Sequence, residues 1–237
     1  MKEMSKLQRG LSGLLKMTVI LSAVIGTFLS WYAGRDSFMG GKTVFMFFTI
    51  QSNIALAIIC LIGFSKMLKR KPFSDLWYII KFVGTVSITL TGAVFCFVLA
   101  PTMQHGAWNI QNILTHVVVP IAGIMDFFVT GINSSIRKRN DFWVIVPPLL
   151  YAVYAGIGFV LNWQFIEGYN YPYFFLNWGS PAGAFGFTDE LPYMGCAWWI
   201  IALFCALLIV GYIYLLILDG LKKTFHNYSQ QPRITIG

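Results

Sequence analysis

Charge is what this sequence has least of. Only 11% of its 237 residues are Asp, Glu, Lys or Arg, where soluble domains carry about 25%. A chain so poor in charge cannot present the polar surface of a soluble globule. Acids are the scarcer sign, 9 against 17 basic side chains. The resulting net charge of +8 does not read as a nucleic-acid surface, because the basic residues flank apolar runs and form no separate tail or patch. In a membrane protein the same excess reads as topology, and no nucleic-acid partner is expected. Histidine occurs 3 times. The four cysteines, Cys60, Cys96, Cys196 and Cys205, are scattered through apolar segments without CxxC or metal-ligand spacing. They are expected to be buried apolar thiols. There is no phosphate loop, no dinucleotide fingerprint, no internal repeat and no second domain. Neither metal nor cofactor is expected.

What the chain has instead is apolar length: 57% of residues are hydrophobic and 17% aromatic, with a mean hydropathy of +0.68. A run of ~20 apolar residues crosses a bilayer as a helix. Six such runs are expected, at about 14–33, 43–65, 77–100, 107–132, 142–162 and 193–218. The first has basic residues before it, as a signal peptide does. Its apolar run is too long for that and no small-x-small cleavage site follows, so it reads as a retained helix. The expectation is an all-α polytopic membrane protein, a single domain of six transmembrane helices.

Loop charge then orients it. Lys2, Lys6, Arg9 and Lys16 precede or begin the first run. Lys66, Lys69, Arg70, Lys71 and Lys81 lie around the second connection, Arg137, Lys138 and Arg139 in the fourth, and Lys222, Lys223 and Arg233 after the last run. Those are fifteen of the 17 basic residues; only Arg35 and Lys42 fall on the other side. Both termini are therefore expected in the cytoplasm. The longest non-helical segment, about 163–192, lies outside. It is rich in Trp, Tyr, Phe, Gly and Pro, with Glu167, Asp189 and Glu190 as its only charges. Such a segment suits the membrane interface, or a lid over an outward-facing cavity.

One stretch is out of character. "FMFFTIQSNIALAII" places Thr49, Gln51, Ser52 and Asn53 within a span, where polar atoms are costly unless paired or used. Thr49, Ser52 and Asn53 fall at i, i+3 and i+4, on one helix face. Asn109, Asn112 and His116 form a matching stripe in the fourth run, continued by Gly123 and Asp126. Counting from the outer ends, Thr49 lies roughly 9 Å deep and His116 roughly 13 Å deep at 1.5 Å per residue. The two stripes can meet. Pro120 lacks the amide that would bond the carbonyl of residue 116, so a distortion near His116 is expected.

Thr, Ser and Asn in membrane helices often serve only as interhelical glue. An ionisable residue such as His116 is a functional candidate by default. A hydroxyl becomes a nucleophile when a neighbouring base accepts its proton, and imidazole suits that task near neutral pH. Asn53 or Asn112 would orient the ring or donate to an oxyanion. Acyl transfer or ester hydrolysis fits Thr49 and His116. The competing class is a transporter or lipid-binding protein whose polar stripe lines a solute pathway. Asp126, Asp219 and the hydroxyls of Thr85, Ser87, Thr89 and Thr91 would suit that role. Asp126 reads equally as a proton-relay group or as a partner of the basic inner loop.

At these residues the chain resembles the androgen-induced family of multi-pass membrane proteins, in particular its bacterial branch. The matching pieces are "FFTIQSN", "NILTHVVVP" and "YNYPYFFLN", in that order through most of the chain. Eukaryotic members are intramembrane threonine hydrolases that cleave fatty-acid esters of hydroxy fatty acids. The resemblance puts the nucleophile at Thr49, the base at His116 and the preceding Asn at Asn112. Ile113 stands where eukaryotic members tend to carry a second His. Gln51, Ser52, Asn53, Tyr171 and Tyr173 are the candidate supporting residues, and a membrane lipid or fatty-acid ester is the implied substrate. The implied location is the cell membrane.

Overall fold

A computed structural model describes residues 4–35, 41–103 and 105–230, so Lys2 and Arg233 of the charge count lie outside the described residues. The described chain is all-helical, and six helices are long and apolar enough to cross a membrane. They are α1 (Lys6–Gly34), α2 (Phe48–Leu68), α3 (Asp75–Thr102), α4 (Ile110–Gly131), α5 (Lys138–Val160) and α6 (Cys196–Gln230). The six-helix class expected from composition is thus borne out.

Local signals set the helix starts. Ser5 and Ser74 cap α1 and α3, their hydroxyls accepting from the amides of Gln8 and Trp77 at 3.1 and 3.2 Å. Asn109 caps α4 through the amide of Asn112 at 3.0 Å. Each satisfies one of the amides a helix start leaves open. The segment Gly41–Met46 forms a 3₁₀ turn, so α2 begins at Phe48. Phe47 offers no capping side chain, and that end is capped from elsewhere, as described below.

Both α3 and α4 are interrupted by a single π turn, at Phe95–Leu99 and Leu114–Val118. Pro120 accounts for the second, since its missing amide forces the ladder to shift around residues 114–118. The bundle is uneven in burial. Half of the most apolar stretch of α4 is buried, against 17% in α6, so α4 is central and α6 peripheral.

Two polar layers cross this bundle, separated by an apolar one. Leu56, Ile88 and Val119 are fully buried between them. Leu56 closes the layer against α4, where a Cβ on Gly123 would come within 2.8 Å of it. The layer nearer the basic end corrects the sequence reading. Lys16 and Lys81 are not loop or terminal charges. They are buried inside the bundle, and Asp126 joins them rather than the basic loop.

Lys16 Nζ lies 2.6 Å from one carboxylate oxygen of Asp126, and Lys81 Nζ lies 2.8 Å from the other. Ser12 donates to Asp126 at 2.7 Å, and Lys81 reaches Cys60 Sγ at 3.3 Å. Buried charges persist when paired and hydrogen-bonded, and this network ties α1, α2, α3 and α4 together. A glycine permits it. A Cβ on Gly63 would meet the Trp77 ring at 2.6 Å and Lys16 Cε at 2.8 Å.

Candidate functional site

The second polar layer brings Thr49 and His116 together. Thr49 Oγ1 lies 3.2 Å from His116 Nε2. The other ring nitrogen fixes the tautomer. His116 Nδ1 lies 3.1 Å from the Asn112 carbonyl oxygen and 3.1 Å from Thr115 Oγ1. The carbonyl can only accept, and the Thr115 hydrogen is already given to the Gln111 carbonyl at 2.8 Å. Both partners therefore require a donor, so Nδ1 carries the hydrogen and Nε2 is left as an acceptor for the Thr49 hydroxyl.

The ring is held in place by packing. Phe95 stacks on it with centroids 3.9 Å apart and an interplanar angle of 20°. Phe95 opens the π turn of α3 and His116 lies within that of α4. Close approach of the two helices requires Gly92, where a Cβ would come within 2.8 Å of the His116 carbonyl oxygen. Sequence reasoning did not find Phe95; an aromatic in an apolar run carries no signal of what it stacks against.

The start of α2 is capped by a residue far away in the chain. The Thr49 amide, one of the open donors of the first turn, points at the Tyr173 hydroxyl at 3.5 Å. Burial pushes the Tyr173 phenol above its ordinary range, with hydrogen bonding to Thr49 opposing it. Tyr173 thus stays protonated, and its O–H remains a donor. Tyr151 lies alongside, donating to the Met46 carbonyl at 3.0 Å.

The other candidates divide into two groups. Ser52 and Asn53 both donate to the Thr49 carbonyl, at 3.0 and 2.8 Å, and neither contacts its hydroxyl. Asn53 also donates to the Thr115 carbonyl at 3.1 Å, so it spans from α2 to the residue before His116. Ser52 pairs with Thr91 at 2.8 Å. These side chains position the site. Asn112 orients His116 through its main-chain carbonyl, while its amide group donates to Ala107. Gln51 faces outward and donates to Phe45, and Tyr171 packs edge-on against Tyr169 in the loop.

Thr49 forms part of the wall of a partly open cavity of about 60 Å³. Apart from Thr91 its remaining wall is apolar or aromatic, including Leu90, Val94, Tyr151, Leu203 and Phe204 from the helices. Tyr173, Phe175 and Leu176 of the segment 163–192 complete its lining. No ionisable side chain other than the two phenols faces it. Among the described residues no three His, Cys, Asp or Glu side chains gather as a metal site.

The arrangement can therefore do one kind of chemistry well. It offers a hydroxyl beside an imidazole acceptor and a phenol, on the wall of a mostly apolar cavity. No protein-family profile, curated protein or solved structure matches this chain.

Proposed function

We propose that this protein is an intramembrane hydrolase of lipid esters. Thr49 is the nucleophile and His116 the general base. The observation that carries the reading is the 3.2 Å approach of Thr49 Oγ1 to a His116 nitrogen whose tautomer is set to accept.

Thr49 Oγ attacks the ester carbonyl carbon as His116 Nε2 takes the hydroxyl proton. The carbonyl oxygen becomes an oxyanion, which the Tyr173 O–H and the positive end of α2 stabilise. Collapse breaks the bond to the alcohol, which leaves with the proton from His116. Water, deprotonated by the same nitrogen, then hydrolyses the acyl-threonine and restores the site. The mostly apolar wall of the cavity matches the character of an acyl chain, and its volume of about 60 Å³ would hold part of one. The resemblance to the androgen-induced family favours fatty-acid esters of hydroxy fatty acids as substrates. The basic bias of the loops favours both termini in the cytoplasm, and the compact loops favour a bacterial plasma membrane.

A solute pathway needs polar groups at every depth, and the fold interrupts them. Leu56, Ile88 and Val119 separate the Thr49 layer from Asp126. The hydroxyls of Thr85, Thr89 and Thr91 bond back to carbonyls of their own helix. The hydrolase reading uses polar groups at one level only. Purified protein in lipid vesicles should hydrolyse a long-chain ester. Thr49→Ser should keep measurable turnover and Thr49→Ala should lose it. Equal turnover in Thr49→Ala and wild type would overturn the proposal.

A further inference from the structure

The basic end of the bundle carries a groove that the hydrolytic site does not use. It runs between α1 and α2, has a volume of about 480 Å³ and is open to the outside. That is within the ~300–1,000 Å³ range of ligand clefts. Its chemistry changes along α1. Lys6 and Arg9 form the outer rim, Gly10 and Gly13 leave the middle without side chains, and Leu14 and Met17 form the inner wall. Phe64 and Leu68 face them from α2.

Two cations at the mouth and an apolar wall toward the bilayer interior match an amphiphile with an anionic head. Among the described residues the Arg9 guanidinium donates to the Met4 carbonyl at 3.3 Å and forms no ion pair with an acid. The rise from Lys6 to Met17 is roughly 16 Å at 1.5 Å per residue, enough for a headgroup and the upper part of its chains. Basic pockets between membrane helices are suited to anionic headgroups.

We propose that this groove binds an anionic phospholipid. The phosphate sits between Lys6 and Arg9, the glycerol region over Gly10 and Gly13, and an acyl chain against Leu14, Met17 and Phe64. The site is independent of Thr49 and His116 and does not rest on the hydrolase reading.

Native mass spectrometry of the full chain tests it, with added phosphatidylglycerol and phosphatidylcholine of identical acyl chains. Wild type should retain phosphatidylglycerol preferentially. Lys6→Gln/Arg9→Gln should reduce that preference roughly 30-fold, the effect expected of two basic side chains at a membrane surface. Lys69→Gln/Arg70→Gln removes the same charge at the same end but outside the groove, and should leave most of the preference. Gly10→Trp adds bulk where a Cβ meets nothing within 4 Å, and should lower retention with the charge intact. Equal retention of the two lipids by wild type overturns the proposal. So does equal loss in the two glutamine pairs, or unchanged retention in Gly10→Trp.

Discussion

Replacing Asp126 by Asn changes almost no volume and removes one negative charge from a fully buried position. In the native bundle its two oxygens receive Lys16, Lys81 and Ser12 at 2.6, 2.8 and 2.7 Å. The amide would leave two buried ammonium groups without a counter-charge. Breaking one buried pair by removing a partner costs about 3–5 kcal/mol, and here one carboxylate serves two cations. The expected loss is at or above the top of that range, a large part of the ~5–15 kcal/mol stability of a typical domain.

For a chain of this size each kcal/mol moves a thermal midpoint by roughly 2–4 °C, so a drop of at least ~10 °C is expected. Unfolding of detergent-solubilised protein, followed by Trp fluorescence at one scan rate, measures it. Lys81→Met should cost less, because it leaves Lys16 and Asp126 as a one-to-one pair. Lys16→Met/Lys81→Met/Asp126→Leu should recover much of the loss, since an apolar replacement of the whole cluster leaves no charge unpaired. The reasoning is refuted if Asp126→Asn unfolds within a degree or two of wild type. It is equally refuted if the triple variant is the least stable of the set.

Three further outcomes follow from the site. His116→Ala should fold normally and lose ~10²–10⁴-fold in kcat, the contribution of a positioned base. In wild type, kcat/KM should fall toward acid pH, because a proton on Nε2 removes the acceptor that faces Thr49, and should level off above. Tyr173→Phe should lower kcat by up to ~10²–10³ with little change in KM, the signature of a donor that matters most to the oxyanion. Cysteine introduced at Lys138 should resist an impermeant thiol reagent in intact cells, and one at Glu167 should react; the reverse pattern inverts the proposed topology.

The six helices were legible because a bilayer-length apolar run is a signal of length and composition, needing no knowledge of partners. The pairing of Thr49 with His116 was also legible. Depth follows from helix rise and facing from the i, i+3, i+4 spacing, so two stripes at similar depth point to each other. Lys16 and Lys81 were misread for a physical reason. A lysine several residues inside a helix looks, in one dimension, like a terminal charge. Only three-dimensional packing shows whether its ammonium turns outward to water or inward to a carboxylate on another helix. The parts played by Asn53 and Asn112 depend on main-chain carbonyls, which every residue has and no sequence pattern marks. Tyr173 reaches Thr49 only because the segment around it folds back over the bundle, so its role rests on a contact 124 residues away in the chain.

The most direct test of the central claim is to find where a fluorophosphonate attaches. Its phosphorus should be attacked by the activated Thr49 Oγ, and peptide mass spectrometry should place one adduct on Thr49. Labelling should be absent in Thr49→Ala and strongly slowed in His116→Ala, with both variants folded. An adduct on another residue such as Ser52, or labelling that persists unchanged in Thr49→Ala, contradicts Thr49 as the nucleophile.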